Sequence, residues 1–507
     1  MKSNVVKNVS TILICSAIAK GLSYIWEAIL AAYFGASDLG DAFYMTTSIF
    51  NILFPILDIG IWKVFLPIYK TKLVEKKEDR AAEIANIAIT LFFLLTIGLI
   101  LFLVVLARPL VAVFAPGFDE TKSANTILYL RLCTPYLLFA AVSSLVGAML
   151  QSRELFLGSQ IREIGTHVAR LACLIICFRY FGVYAAILAL IVGGVFRLLV
   201  QLPFINWKWK YAPDFNFKDK EIAVMLKGLP SVAVTAVITH LNSLIDRMVA
   251  SVAASGSISC LNYGNKLMHL FSGLISTAIS TAVYPTVIQH IAQKDDQRLE
   301  KLLRNVFCAL MFFIIPISLF CFLFSGQLVE AAFQRGAFVS SATVLTAEIF
   351  VGYCVGMLFL GLTTVVSNVF YGFGDTKITM YISMVDIGLN IVFDLVFYQF
   401  WGVAGLAYAT SISAMICLGI RLFKLRKYIR IAYKPLCIEA AKILALSLTA
   451  GAAAHFALVK CEDWNVFLIL IAAAAVFGLI YIVLALAFRL NTLQFVSTLL
   501  RKKLKRG

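Results

Sequence analysis

Apolar runs of about 20 residues, each long enough to cross roughly 30 Å of hydrocarbon, recur along this chain from Ile12 to Phe488. A segment inside lipid must satisfy its own backbone N–H and C=O groups, so it is either a helix or a strand of a closed barrel. Runs of this length are helices. Of the 507 residues, 61% are hydrophobic and 14% charged, which excludes an ordinary soluble protein, and no stretch between the runs could form a separate soluble domain. The first run follows Lys2 and Lys7 but continues past Lys20 and Glu27 to Phe34 without a small-residue cleavage pattern. It reads as a membrane helix, not a removable signal.

Counting the runs predicts an all-α polytopic membrane protein with about fourteen transmembrane helices. The net charge of +17 does not indicate nucleic acid, because the basic residues sit in short loops between the runs. Lys70, Lys72, Lys76, Lys77 and Arg80 follow the second helix, Lys208, Lys210, Lys218 and Lys220 the sixth, and Lys294, Arg298 and Lys301 the eighth. Arg421, Lys424, Arg426, Lys427 and Arg430 follow the twelfth, and Arg501, Lys502, Lys503, Lys505 and Arg506 form the tail. The alternate loops are nearly free of Lys and Arg, so the positive-inside rule places both termini in the cytoplasm and Phe114–Phe118 outside.

Sliding the chain over itself by about 218 residues brings its features into register. Ala36–Asp79, with FLPIY and KKED, falls on Ala254–Gln297, with VYPTV and QKDDQ, and FAPGF at Phe114–Phe118 falls on FQRGAF at Phe333–Phe338. The expected organisation is a six-helix lobe over 1–225, a second over 226–430 related to it by a parallel repeat, and a helix pair with a basic tail over 431–507. Chance alignment of apolar helices is the alternative; the match of Pro67 with Pro285 and Gly117 with Gly336 argues against it.

Ionisable groups at membrane depth are costly and normally face a cavity or a partner. Lys20 and Glu27 share a face of the first helix, Asp41 and Asp58 bracket the second, Asp246 and Arg247 lie in the seventh and Lys266 in the eighth. Asp386, Asn390 and Asp394 form a stripe on the eleventh, and Thr410 follows in the twelfth. Asp246 and Arg247 also fit a neutralised pair that only ties helices together, and Lys20 and Lys266 fit snorkelling toward an interface. The 11 cysteines mostly lie inside apolar runs without metal spacing, and His240, His269 and His455 are isolated, so both types read as packing residues. No HExxH, GxxxxGK[ST] or GxSxG motif occurs; an enzyme is not expected.

The stretch AAYFGASDLGDAFYMTTSIFNILFPILDIGIWKVFLPIYKTK at 31–72 resembles the opening of the MurJ/MviN family, and FAPGF at 114–118 and LIDRMVASVAASGSISCLNYGNKL at 244–267 resemble two further signatures of it. The resemblance extends through about twelve of the helices and implies the multidrug/oligosaccharidyl-lipid/polysaccharide exporter fold, with a cationic cavity and lipid II as substrate. In that family a C-terminal helix pair forms a groove for the lipid tail, a role open to residues 436–488. Where proteobacterial members carry arginines toward the diphosphate, this chain has Lys20, Trp26, Pro55 and Lys266. Two cations persist as lysine, which lacks the bidentate fork of arginine, and two are lost.

These readings predict a flippase carrying a polyprenyl-diphosphate-linked saccharide to the outer leaflet. Lys20 and Lys266 are expected to bind the diphosphate, with Glu27, Asp41 and Arg247 completing the substrate site. Export of another polyprenyl-linked oligosaccharide, or ion-coupled multidrug efflux, are the competing functions. The family's sodium site matches Asp246, Asn390, Asp394 and Thr410 with a carbonyl near Leu406; oxygen ligands suit that ion, while a helix-tying role for Asp394, or its pairing with Arg247, is the alternative. No other cofactor and no nucleic acid are expected. The partners are the glycolipid and membrane lipids, and the setting is a monomer in the bacterial cell membrane.

Overall fold

The computed structural model describes residues 2–205, 207, 209–458, 464–488 and 490. The side chains of Lys2 and Lys7, Lys208, and the tail residues Arg501, Lys502, Lys503, Lys505 and Arg506 lie outside the described residues. The chain divides into two compact units, Met1–Ser259 and Cys260–Gly507.

In the first unit the helices are α1 (Lys2–Phe34), α2 (Asp38–Gly60), α3 (Leu66–Val74), α4 (Glu78–Val105), α5 (Ala107–Phe114), α6 (Glu120–Cys133), α7 (Pro135–Ser152), α8 (Phe156–Phe181), α9 (Tyr184–Leu199) and α10 (Lys220–Ala250). Helix α2 begins where Ser37 accepts a hydrogen bond from the Gly40 amide at 3.3 Å. It contains Pro55, and a π-helical turn over Ile61–Phe65 joins it to α3. One face of α4 is small: Ala81, Ala85 and Ala88 are fully buried and let α4 pack closely on Ile61, Phe65 and Tyr69. At one end of this unit Arg80 pairs with Asp219 and, at 2.6 Å, with Glu221, while Lys72 reaches Glu221 at 3.0 Å; these contacts fix the start of α10 against α3 and α4. Beyond them α10 lies along α2.

Helix α11 (Ser257–Ala292) starts at the unit boundary. The second unit continues with α12 (Asp296–Leu323), α13 (Ser325–Phe333), α14 (Ser340–Gly372), α15 (Thr376–Leu425), α16 (Tyr433–Leu458) and α17 (Val466–Ala487). Helix α15 is an antiparallel hairpin, not a rod. Gly402 has φ 54° and ψ −139°, a conformation open essentially to glycine alone. As a result Asn390 and Thr410, 20 positions apart, come within 3.5 Å. A Cβ at Gly405 would stand 2.3 Å from the Phe397 carbonyl oxygen, so the two arms meet where glycine leaves room.

Among the described residues thirteen helices are long and apolar enough to cross a membrane, and the hairpin in α15 makes fourteen such segments of them, in agreement with the sequence count. Two elements were not expected. Helices α5 and α13 are too short to span, and each ends where FAPGF or FQRGAF begins. Backbone irregularities also recur between the units: Lys76 and Lys294, Glu154 and Gly374, and Gly182 and Gly402 all have positive φ, each pair 218–220 positions apart.

Candidate functional site

The three stretches that carry the family resemblance meet inside the first unit. Asp41, 1% exposed, accepts hydrogen bonds from the Gly256 amide at 2.8 Å, the Ser259 amide at 2.8 Å and the Ser259 hydroxyl at 2.7 Å, and Lys122 stands 3.9 Å away. It therefore caps the first turn of α11, whose N–H groups have no partner within their own helix. The FAPGF loop closes on the same segment: the Gly117 amide donates to Ser251 at 3.3 Å, and a Cβ on Gly117 would lie 2.4 Å from the Val252 Cα. Glycine is required there by contact. The structure places Asp41, expected from the sequence in the substrate site, at the start of α11, with both oxygens bonded to the chain itself and almost none of it at the surface.

A polar chain crosses α1, α2 and α10 of the same unit. Tyr44 donates to Glu27 at 2.9 Å, Ser48 donates to the Tyr44 carbonyl at 2.6 Å, and Arg247 donates to Ser48 and, at 3.5 Å, to the Tyr44 carbonyl. The guanidinium of Arg247 is thus turned onto α2. Asp246 is 6% exposed. Lys20 is exposed on α1, and Trp26 is 5% exposed.

In the second unit Lys266 is half-buried on α11. Asn390, Asp394 and Leu406 are fully buried. The Asn390 amide nitrogen lies 3.5 Å from the Thr410 hydroxyl, which donates to the Leu406 carbonyl at 3.1 Å. The hairpin at Gly402 therefore brings the Asn390 amide group to the Thr410 hydroxyl, itself bonded to the Leu406 carbonyl, with Asp394 one turn from Asn390 on the same arm. Further along, α12 and α17 enclose an apolar groove of about 300 Å³, lined by Phe271, Phe312, Phe313, Pro316, Phe477 and Tyr481. Its wall is fixed by the Tyr481 hydroxyl donating to the Phe312 carbonyl at 2.9 Å.

Sequence reasoning missed a buried cluster in the first unit. Arg162 and Arg197 are 8% and 6% exposed; Glu163 pairs with Arg197 at 3.0 Å, Arg162 donates to Ser144 at 3.2 Å and stacks 4.8 Å from the Trp62 ring, and Ser144 donates to Asp58. The signal was available, since both arginines interrupt apolar runs as Lys20 and Lys266 do.

Comparison with known proteins agrees with this architecture. The sequence profile of the family described as Lipid II flippase MurJ matches residues 30–475. A probable lipid II flippase MurJ of Buchnera aphidicola subsp. Baizongia pistaciae is 26% identical over 423 residues, 82% of either chain. Among solved structures, a lipid II flippase MurJ in an inward closed conformation superposes with a TM-score of 0.80 at 21% identity, covering 94% of this chain and 98% of that one. An inward-facing multidrug resistance MATE family transporter of the MOP superfamily reaches 0.68 at 13% identity, over 83% of this chain and 97% of that one. The chain belongs to the lipid II flippase MurJ family.

Proposed function

We propose that this protein carries lipid II from the inner to the outer leaflet of the bacterial inner membrane by alternating access. It is a transporter, not an enzyme, and its substrate is a lipid-linked diphosphate. The observation that carries the reading is the apolar groove between α12 and α17 in a chain whose family profile covers 30–475: a polyprenyl tail needs such a trough, and a soluble drug does not. Lys20 and Lys266 serve as the diphosphate cations, each a compact point charge suited to phosphate. The functional lobes are 1–225 and 226–430, with 431–507 supplying the tail groove. The chain works as a monomer with both termini in the cytoplasm.

Sodium drives the cycle from a site made of Asp246, Asn390, Asp394, Thr410 and the Leu406 carbonyl. Oxygen ligands of this kind suit a hard cation.

A second reading, transport of another polyprenyl-diphosphate oligosaccharide, is favoured by the loss of two cations at Trp26 and Pro55. Expression in a bacterium depleted of its own lipid II flippase separates the two. Growth restored to the undepleted level supports lipid II; lysis despite normal membrane insertion assigns the other glycan.

A further inference from the structure

At one end of the second unit a cavity of about 710 Å³ lies between α13, the first turns of α14 and the hairpin bend of α15. Its size is that of a small-molecule site. Its lining includes two carboxylates, Glu330 and Glu348, and two aromatic side chains, Trp401 and Tyr408, and contains no Lys, Arg or His. Neither the Glu330 nor the Glu348 carboxylate forms an ion pair or hydrogen bond among the described residues. Both side chains are exposed, and Glu348 lies in the third turn of α14, within a segment long and apolar enough to span a membrane, where an ionised carboxylate needs water or a cation beside it.

The aromatic corner is a product of the backbone. The break at Gly402 sets the Trp401 and Tyr408 rings against each other, centroids 5.7 Å apart and tilted by 46°, and Phe397 braces Trp401 edge-on at 5.3 Å. On the opposite wall Thr343 is tied to Gln334 at 2.7 Å. Val344, Ala347 and Ala404 supply apolar surface between the charges.

Two negative charges and two π faces around a roomy, partly apolar cavity select one ligand chemistry. A bare metal ion is too small: hard cations need several oxygens at about 2.3–2.6 Å, and no group of three or more His, Cys, Asp or Glu residues is placed to hold one among the described residues. An anion is repelled. A diffuse organic ammonium bearing an apolar body matches both features, the charge going to the carboxylates and its methylene or methyl groups to the rings. We propose that this pocket is an organic-ammonium site, separate from the diphosphate and sodium sites and independent of the substrate assigned above. The ammonium can come from the headgroup of an aminophospholipid or from a soluble amine.

The test uses the full chain in nanodiscs of phosphatidylglycerol alone, titrated calorimetrically with benzyltrimethylammonium chloride. Saturable binding to one site is expected, weakened about tenfold or more in the E330Q/E348Q double variant. Trp401→Leu should weaken it as well, whereas Trp401→Phe should keep most of it, so the proposal stays testable if the double variant does not fold. Replacing half of the lipid with phosphatidylethanolamine identifies the source: competition assigns the lipid headgroup, and unchanged affinity assigns a soluble amine. Absence of saturable binding, or equal binding by wild type and the folded Gln and Leu variants, overturns the proposal.

Discussion

Charge at membrane depth decides what single residues do in this protein, and ionisable residues do two different jobs. Lys20 and Lys266 are assigned to the diphosphate, so removing both charges should reduce flipping in proteoliposomes at least about 100-fold, since a hydrogen bond to a charged group contributes roughly 1.5–3 kcal/mol. Their replacement by arginine should retain transport, and full flipping by the Lys20→Ala/Lys266→Ala protein would remove both from the site. Asp41 is the contrasting case. Its carboxylate caps α11 through the Gly256 and Ser259 amides, so Asp41→Asn, which turns an amide nitrogen toward donors, should lower unfolding stability by about 1–3 kcal/mol. Affinity for a lipid-linked diphosphate should be unchanged in that variant; a loss of affinity without a loss of stability would return Asp41 to the substrate site. The sequence showed that Asp41 mattered, because an acid beside an apolar run is conspicuous, but its partners lie 215 and 218 positions away and no local pattern reveals them.

The helices were legible because run length and hydropathy are enough to define a membrane span, whereas α5 and α13 were not, being shorter than any span. The hairpin in α15 was marked by Gly402, and the π turn after Pro55 had no sequence mark at all. Gly182 and Gly402 both have positive φ with ψ near −130°, and nothing lies within 4 Å of a Cβ built on either. Space is therefore not the constraint, and Gly→Ala at either position should cost about 1–3 kcal/mol through the backbone alone, visible as a lower unfolding temperature. An unchanged unfolding temperature would mean that the bend relaxes freely. The start of α15 carries a pH dependence. The Tyr428 hydroxyl and the Ile378 amide donate to Asp375 and hold its carboxyl below the usual carboxylate range. A depressed folded-state pKa gives stability that is fully present above the unfolded value and is lost as pH falls through the folded one. Asp375→Asn should flatten that acidic decline in stability, and an identical pH profile for the variant would exclude the contribution.

For the whole molecule the reading turns on orientation and on the ion. Orientation rests on the alternation of basic loops, so an impermeant thiol reagent added outside should label a cysteine placed at Asp119 but not one at Lys76, in a background where all 11 native cysteines are replaced. The reverse pattern would invert the protein. Lys and Arg counts made that reading possible, and no single residue carries it. The proposed ion is a different matter, because its ligands would come from segments far apart in sequence. The hairpin places the Asn390 amide, the Thr410 hydroxyl and the Leu406 carbonyl together, and buries Asp394 completely one turn away. A carboxylate removed from water is expensive unless a cation compensates it, and a cation taken up from one side of the membrane and released on the other couples that compensation to the transport cycle. Flipping in proteoliposomes should therefore rise with an imposed sodium gradient and fall to its basal level when potassium replaces sodium on both sides. Asp394→Asn removes the charge but keeps the shape, so it should lose the response to sodium while lipid-linked diphosphate still binds. Thr410→Val removes one neutral ligand and should raise the sodium concentration for half-maximal flipping about tenfold, the equivalent of one lost coordination of roughly 1.4 kcal/mol. If wild-type flipping is the same in sodium and potassium, the buried Asp394 is a structural tie between the arms of α15, and the cycle draws on the membrane potential or the substrate gradient instead.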